Sequence, residues 1–341
     1  MPDARRDQSS RLFLLLFVAS VLSAATAGIF YFRSQKASIR LLNERGLSAI
    51  AAHKLTQLEV WRRECVGIAG LVFDNPAFER ELPGLLHQPG QAGPQTDPFA
   101  WTRGLVPRRE YRAVLLLDRT GRVRIPLLPG SRDPGEHVNS LVAAALQASK
   151  PVLSVPHRSP EWPGVHMDLA IPVPSAVTRT ASPAAPALGV VVLDVDPYAI
   201  LYPLMKTWPG TSRTGEAELV WREGDEFVFV NPLRYSSSPP LTLRRPMSTV
   251  GQAAVRAAAG EEGAFEGVDY RGVPVLAVTR RVPDLPWFLV VKVDMAEVKG
   301  PLRERAWRTV AVFLFAISMA GALVGLLWRD QRTRFYRKQY E

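Results

Sequence analysis

The 341-residue sequence has a single cysteine, Cys65, so no intramolecular disulfide can form, and without a cysteine pair a cysteine-based zinc site is excluded. It has no G-x-S-x-G elbow, no H-E-x-x-H, no supported S-x-x-K and no glycine-rich phosphate loop, so neither hydrolytic catalysis nor nucleotide binding is indicated. Its five histidines (His53, His87, His137, His157, His166) are scattered along the chain. It also lacks any dense block of one charge. The net charge of +10 is +1 over the first eleven residues and +3 over the last thirteen, with the rest spread through the middle. No stripe for nucleic-acid phosphates results, and nucleic acid is not an expected partner. With 47% hydrophobic and 22% charged residues, the composition is that of a folded chain rather than a disordered one.

What is present is apolar length at both ends. Residues 12–32 (LFLLLFVASVLSAATAGIFYF) and 309–327 (TVAVFLFAISMAGALVGLL) carry no charge. At 1.5 Å per residue each is ~30 Å of helix, the thickness of a bilayer's hydrocarbon core. Tyr31, Phe32, Trp307 and Trp328 stand at the edges, where aromatic rings favour the interface. Both outer flanks are basic: Arg5, Arg6 and Arg11 before the first run, and Arg329, Arg332, Arg334, Arg337 and Lys338 after the second. The positive-inside rule then places both termini in the cytoplasm and exports the centre across a bacterial inner membrane. A cleavable signal peptide ending at Ala25-Thr26-Ala27 is an alternative for the first run, although the apolar stretch continues to Phe32. Ser20, Ala24 and Gly28, and Gly321 and Gly325, have the four-residue spacing that lets membrane helices pair, and equally the small-residue content common in such helices.

Between the runs the hydrophobic period changes twice. From residue 33 to about 75 there is no proline before Pro76, and Ile39, Leu42, Gly46, Ala49, Ile50, His53, Leu58, Trp61, Cys65, Ile68 and Val72 mark one face of a long helix. A Pro/Gly/Gln-rich loop follows at 82–98. Residues 113–125 then read as a hairpin turning at Gly121, 136–149 as a helix, and 151–156, 165–173 and 188–195 as strands, with a Pro/Ala/Ser/Thr-rich loop at 174–186. The pattern repeats. Residues 218–230 form a hairpin turning at Gly224, 249–259 a helix, and 264–268, 273–281 and 287–294 three strands. Gly121 and Gly224, Val173-Pro174 and Val282-Pro283, and Val195-Asp196 and Val293-Asp294 lie about 100 residues apart. Two tandem antiparallel modules result, each of two strands, a helix and three strands.

This architecture, with the stretches AVLLLDRTGRV, LGVVVLDVDP, TGEAELVWREGDEFVF and EGVDYRGVPVLAVTRRVPDLPWFLVVKVD, resembles the double Cache sensor family over about 260 residues. The resemblance implies an α+β fold: a long N-terminal helix with two tandem PAS-like modules, flanked by two transmembrane helices. The expected segments are a cytoplasmic start (1–11), first span (12–32), exported helix (33–75), membrane-distal module (76–200), membrane-proximal module (201–295), stem (296–308), second span (309–328) and a cytoplasmic helix (329–341). The resemblance also implies a sensory input for a histidine kinase or diguanylate cyclase lying downstream, with no enzyme activity in this chain; the apolar face from Ile39 to Val72, larger than one small module can cover, implies a homodimer. A chemoreceptor fits less well, since its relay has a proline early after the last span and residues 329–341 have none. A membrane-anchored protein that binds an exported partner without signalling is the rival class.

In such sensors the distal module holds the ligand. Amino-acid-binding members use an Arg-x-Trp-Tyr stretch and a downstream Asp in a strand reading roughly G-V-V-G-x-D-I. Gly189-Val-Val-Val-Leu-Asp194-Val matches the Asp position; Arg158-Ser-Pro-Glu-Trp162 departs in spacing and lacks the Tyr. Arg158, Trp162, Asp168 and Asp194 are the candidate ligand-binding residues, suited to a small anionic or zwitterionic solute. The strands of the second module offer few such groups before Asp294, and Asp269-Tyr270-Arg271-Gly272 reads as a structural turn. His166 and Asp168 share a strand face, a spacing compatible with a metal, but two ligands are not a site. The pair reads as a polar strand edge. No metal and no cofactor is assigned.

Overall fold

The structure, a computed structural model, describes residues 3–73, 86, 111–127, 135, 137–160, 164–173 and 187–340. Contacts divide the chain into two units, residues 1–46 with 293–341, and residues 47–292.

In the first unit, α1 (Asp3–Phe73) begins and α5 (Met295–Tyr340) ends the chain's helical content. Each absorbs an apolar run without a break, because neither run contains a proline. Among the described residues no helix is long and apolar enough to cross a membrane. The side chains of residues 12–17 and several others of the two runs lie outside the described ones. Many of those that are described point outward: Leu22, Phe30, Leu314 and Phe315 are all at least 60% exposed. Gly28 lies against the Phe313 ring, which a methyl group at its position would meet at 3.7 Å. Gly321 and Gly325 have nothing that near.

In the second unit, α1 buries Leu47, Ala51, Lys54, Leu58, Trp61, Cys65 and Ile68, alternating steps of four and three residues. The C-terminal half of this stripe is the expected one. The N-terminal half is rotated: Ala49 and His53, expected inside, are exposed, and Lys54 replaces them. The cause is polar. The Lys54 ammonium donates to the carbonyls of Leu204 and, at 2.6 Å, Thr207 at the end of α3 (Leu201–Lys206), a helix terminus that attracts a cation. The expected helix stop at Asn75-Pro76 and the loop at 174–186 lie outside the described residues, as does the loop at 82–98 apart from Leu86.

Two antiparallel sheets follow. The first contains β1 (Tyr111–Leu117), β2 (Val123–Pro126), β3 (Val152–Leu153), β4 (Met167–Val173) and β5 (Gly189–Val195), in the order β2-β1-β5-β4-β3. Helix α2 (Val138–Ala148) packs on one face through Val138, Val142 and Ala145 against Leu115, Leu117, Ala170, Val190 and Val192. The second contains β6 (Glu216–Glu223), β7 (Glu226–Phe229), β8 (Arg244–Pro246), β9 (Gly263–Val268), β10 (Pro274–Arg281) and β11 (Trp287–Asp294), ordered β8-β7-β6-β11-β10-β9. Helix α4 (Ala253–Ala258) packs there on Val220, Val275, Ala277 and Val290. Without the edge strand β8, both sheets have the same strand order, with the helix between the second and third strands. The duplication read from the sequence is thus a duplication of topology.

The first hairpin shows how local chemistry sets register. Asp118 Oδ1 accepts from the backbone N–H groups of Thr120 (2.8 Å) and Arg122 (3.1 Å), and Gly121 adopts φ +84°. A Cβ at Gly121 would stand 2.1 Å from Asn139 Oδ1, so any other residue there must displace the Asn139 side chain and strain a left-handed backbone.

Candidate functional site

Side chains alternate along a strand, so the residues of β5 that share the α2 face are Val190, Val192 and Asp194. The first two sit beneath the helix, whereas Asp194 lies one step further along. The register places Asp168 of β4 directly opposite Asp194. Both are buried, with side chains 3% and 5% exposed. Two carboxylates facing each other away from water require partners.

Asp168 finds histidines. His137, immediately before α2, places Nε2 3.4 Å from Asp168 Oδ2, and His157 places Nε2 3.1 Å from the same oxygen. His166 joins them because an isolated bridge pairs its backbone with that of His157. The His157 and His166 ring centroids are 4.3 Å apart, and His137 lies 5.0 and 5.7 Å from them. Burial alone would raise the Asp168 pKa, but the His137 and His157 rings beside it outweigh that and hold the carboxyl at about 2. Burial opposes the charge on His157, yet the neighbouring Asp168 carboxylate and the Val155 carbonyl raise its pKa above the usual value. Burial, with repulsion from His157, pushes His166 down to about 4.

Asp194 finds Arg112, whose Nη2 lies 3.2 Å from Oδ1. A register shift in β1 between Tyr111 and Ala113 marks where Arg112 leaves the regular ladder. The other oxygen, Oδ2, has no hydrogen-bond partner among the described residues. Burial pushes the Asp194 carboxyl up to about 6 against the pull of Arg112.

Of the four residues proposed from sequence, the structure therefore brings Asp168 and Asp194 together. Arg158 is not with them; its Nη2 donates to the Pro240 carbonyl at 3.3 Å. Trp162 lies outside the described residues. The sequence places His157 in the same central-strand cluster as His166, Asp168 and Asp194, and the structure brings them together; sequence reasoning missed Arg112, which has no distinguishing motif, and the approach of His137 to that cluster.

The second sheet corrects another expectation. Its α4 face is not poor in charged groups. Lys292 of β11 occupies the position equivalent to Asp194, 98 residues on, and is 1% exposed. Its ammonium meets Glu216 (3.2 Å), Glu218 (2.6 Å) and Asp269 (2.8 Å) and lies 4.2 Å from the centre of the Tyr270 ring. Tyr270 Oη donates to Glu216, and Arg271 Nε to Asp269 at 2.6 Å. Asp269 also accepts the Arg271 and Val273 N–H groups, so this motif is a turn that doubles as part of a charged core. The second module fills its own polar face.

No family model and no curated protein matches the sequence. Solved structures do resemble the fold. One is the ligand-binding domain of the Pseudomonas fluorescens chemoreceptor CtaA in complex with L-isoleucine: TM-score 0.49, 16% identity, covering 78% of this chain and 98% of that one. Another is the ligand-binding domain of the Pseudomonas aeruginosa PAO1 amino-acid chemoreceptor PctC in complex with GABA: TM-score 0.46, 16% identity, 74% and 100% covered. A third is a domain of a sensory box/GGDEF family protein from Vibrio parahaemolyticus: TM-score 0.48, 13% identity, 76% and 99% covered.

Proposed function

We propose that the chain is the extracytoplasmic sensory input of a transmembrane signalling protein, binding a small polar ligand on the α2 face of the first sheet. One observation carries this reading. Of two topologically equivalent sheet faces, the second sets Lys292 and Arg271 among its buried carboxylates, Lys292 within 3.2 Å of all three, while the first keeps a buried Asp194 oxygen with neither a cation nor a hydrogen-bond partner on it among the described residues. A buried, unsatisfied acceptor is costly in the ligand-free state, and a ligand donor offsets that cost on binding.

The outward-facing apolar side chains of α1 and α5 suit a lipid surrounding, and the basic flanks of both runs support cytoplasmic termini. Ligand binding then shifts the population between two arrangements of these helices by its differential affinity for them. The exposed Leu41 and Leu42 of α1 favour pairing with the same helix of a second copy. Output through a histidine kinase or a diguanylate cyclase fits the same reading.

A thermal-shift screen of small solutes and ions on the full chain tests it. The account expects a stabilising ligand whose effect disappears in Asp194→Ala. A hit that survives this change and is lost in Tyr270→Phe or Arg271→Gln would place the site in the second module and overturn the assignment.

A further inference from the structure

We propose that His137, His157, His166 and Asp168 bind a divalent late transition-metal ion of the zinc type, and that this ion is the ligand, or part of the ligand, of the first module. The inference rests on the reading of that face as the ligand site and names its chemistry. One potential ligand atom from each of the four residues lies within 4.8 Å of the other three. Two of the separations, 3.4 Å from His137 Nε2 and 3.1 Å from His157 Nε2 to Asp168 Oδ2, are already those of neighbouring ligands on one tetrahedral ion, about 3.3 Å for bonds of about 2.0 Å. Small side-chain rotations bring the rest into range.

The surroundings match what a metal site requires. His157 Nδ1 lies 2.9 Å from the Val155 carbonyl; a proton on that nitrogen leaves Nε2 as the lone-pair donor directed at the cluster. The Asp168 N–H donates to Ser154 Oγ (2.7 Å), and the Ser154 N–H to the Asp168 carbonyl (2.8 Å), fixing the carboxylate's strand against its neighbour. Charge balance points the same way. Asp168 and Asp194 face each other with only Arg112 beside the latter, so the ionised cluster keeps a negative charge that favours a cation at the histidines. Three imidazoles and one carboxylate select zinc, nickel or copper(II) over calcium and magnesium, which take oxygen ligands. The ligands come from different elements: the start of α2, the segment between β3 and β4, and β4 itself. An ion joining them ties the helix to the sheet, as an effector that changes their packing must.

The test uses the full chain in detergent, purified without a histidine tag, stripped with a chelator and titrated calorimetrically with Zn²⁺ alone. One equivalent should bind, with no competition from Ca²⁺ or Mg²⁺. Affinity should fall by about 100-fold or more in His157→Ala and in His166→Gln, and by less in Asp194→Ala, whose carboxylate adds negative charge opposite Asp168 without touching the histidines. Loss of a buried imidazole can loosen the sheet by itself, so His137→Gln, at a partly exposed position, is the folding control. It should keep the metal-free melting temperature and circular dichroism of the parent chain and still lose the affinity. Zn²⁺ binding that is unchanged in the three histidine variants overturns the assignment. Absence of stoichiometric binding in the parent chain overturns the metal altogether. In that case an organic solute whose stabilisation depends on Asp194 leaves the broader ligand-site reading standing, whereas absence of both removes it.

Discussion

Lys292 and Asp194 occupy the same place in two copies of one module, and the difference between them decides what each copy does. Lys292 sits among Glu216, Glu218 and Asp269, with Arg271 on the same Asp269, so the second module sets its buried carboxylates against cations of its own. Replacing it with a neutral chain of similar length leaves three buried carboxylates facing one another. Lys292→Met should cost about 3–5 kcal/mol at neutral pH in urea unfolding. The loss should shrink as the pH falls and those carboxyls take up protons. Even with the lysine in place, burial pushes Glu218 up to about 7, from an ordinary value of 4.5. Its native form thus holds a proton that the unfolded chain has released, and this group's contribution to stability is lost as the pH rises through that window. Glu218→Gln should therefore flatten the stability profile between about pH 5 and 7, as read from denaturation midpoints; an unchanged slope would assign the titration to another group. None of this was legible from residue types alone. Asp269 and Lys292 stand more than fifty residues from the Glu216/Glu218 pair in the sequence, and only the β6–β11 register makes Lys292 the neighbour of Glu216. Asp168 and Asp194 were legible because strand alternation and a family resemblance marked them. Arg112 was not, because an arginine at the start of a strand carries no sign of where an irregular register will send it.

The elements themselves followed from periodicity wherever they were long. The two hairpins, the two module helices and the long closing strands lie within a few residues of their expected positions, since alternation and turn glycines specify them locally. The strand β8 was missed, at three residues being too short to show a period. A helix after Asp196-Pro197 was legible from the capping residue, but not that its end would meet Lys54, and that contact explains the rotated half of the α1 stripe. A lysine within an apolar stripe reads as solvent-facing until a helix end is available to receive it. Lys54→Met should leave the Leu204 and Thr207 carbonyls without that donor and destabilise the chain by about 1–3 kcal/mol, checked by chemical denaturation. A neutral outcome would mean that water replaces the ammonium. At the first hairpin, Gly121→Ala forces a side chain onto a left-handed residue and against Asn139. It should cost at least about 1 kcal/mol, whereas Gly224→Ala, where no neighbour lies within 4 Å, should show the backbone component alone.

At the scale of the whole molecule, the account joins a duplicated sheet module to two helices whose apolar side chains face outward. It predicts export of the centre and cytoplasmic ends: alkaline phosphatase fused at Pro183 should be active, and fused after Lys338 inactive, while activity at the second junction would contradict the topology. The duplication makes the division of labour testable, since the second module serves as an internal reference for the first. Hydrogen exchange on the full chain, with and without stoichiometric Zn²⁺, measures this directly. The account predicts new protection concentrated in β4, β5 and the start of α2, with β6 and β11 unchanged. Protection centred on β6 and β11 would contradict the claim that the first module carries the ligand site, and protection in neither sheet would contradict the metal as its ligand.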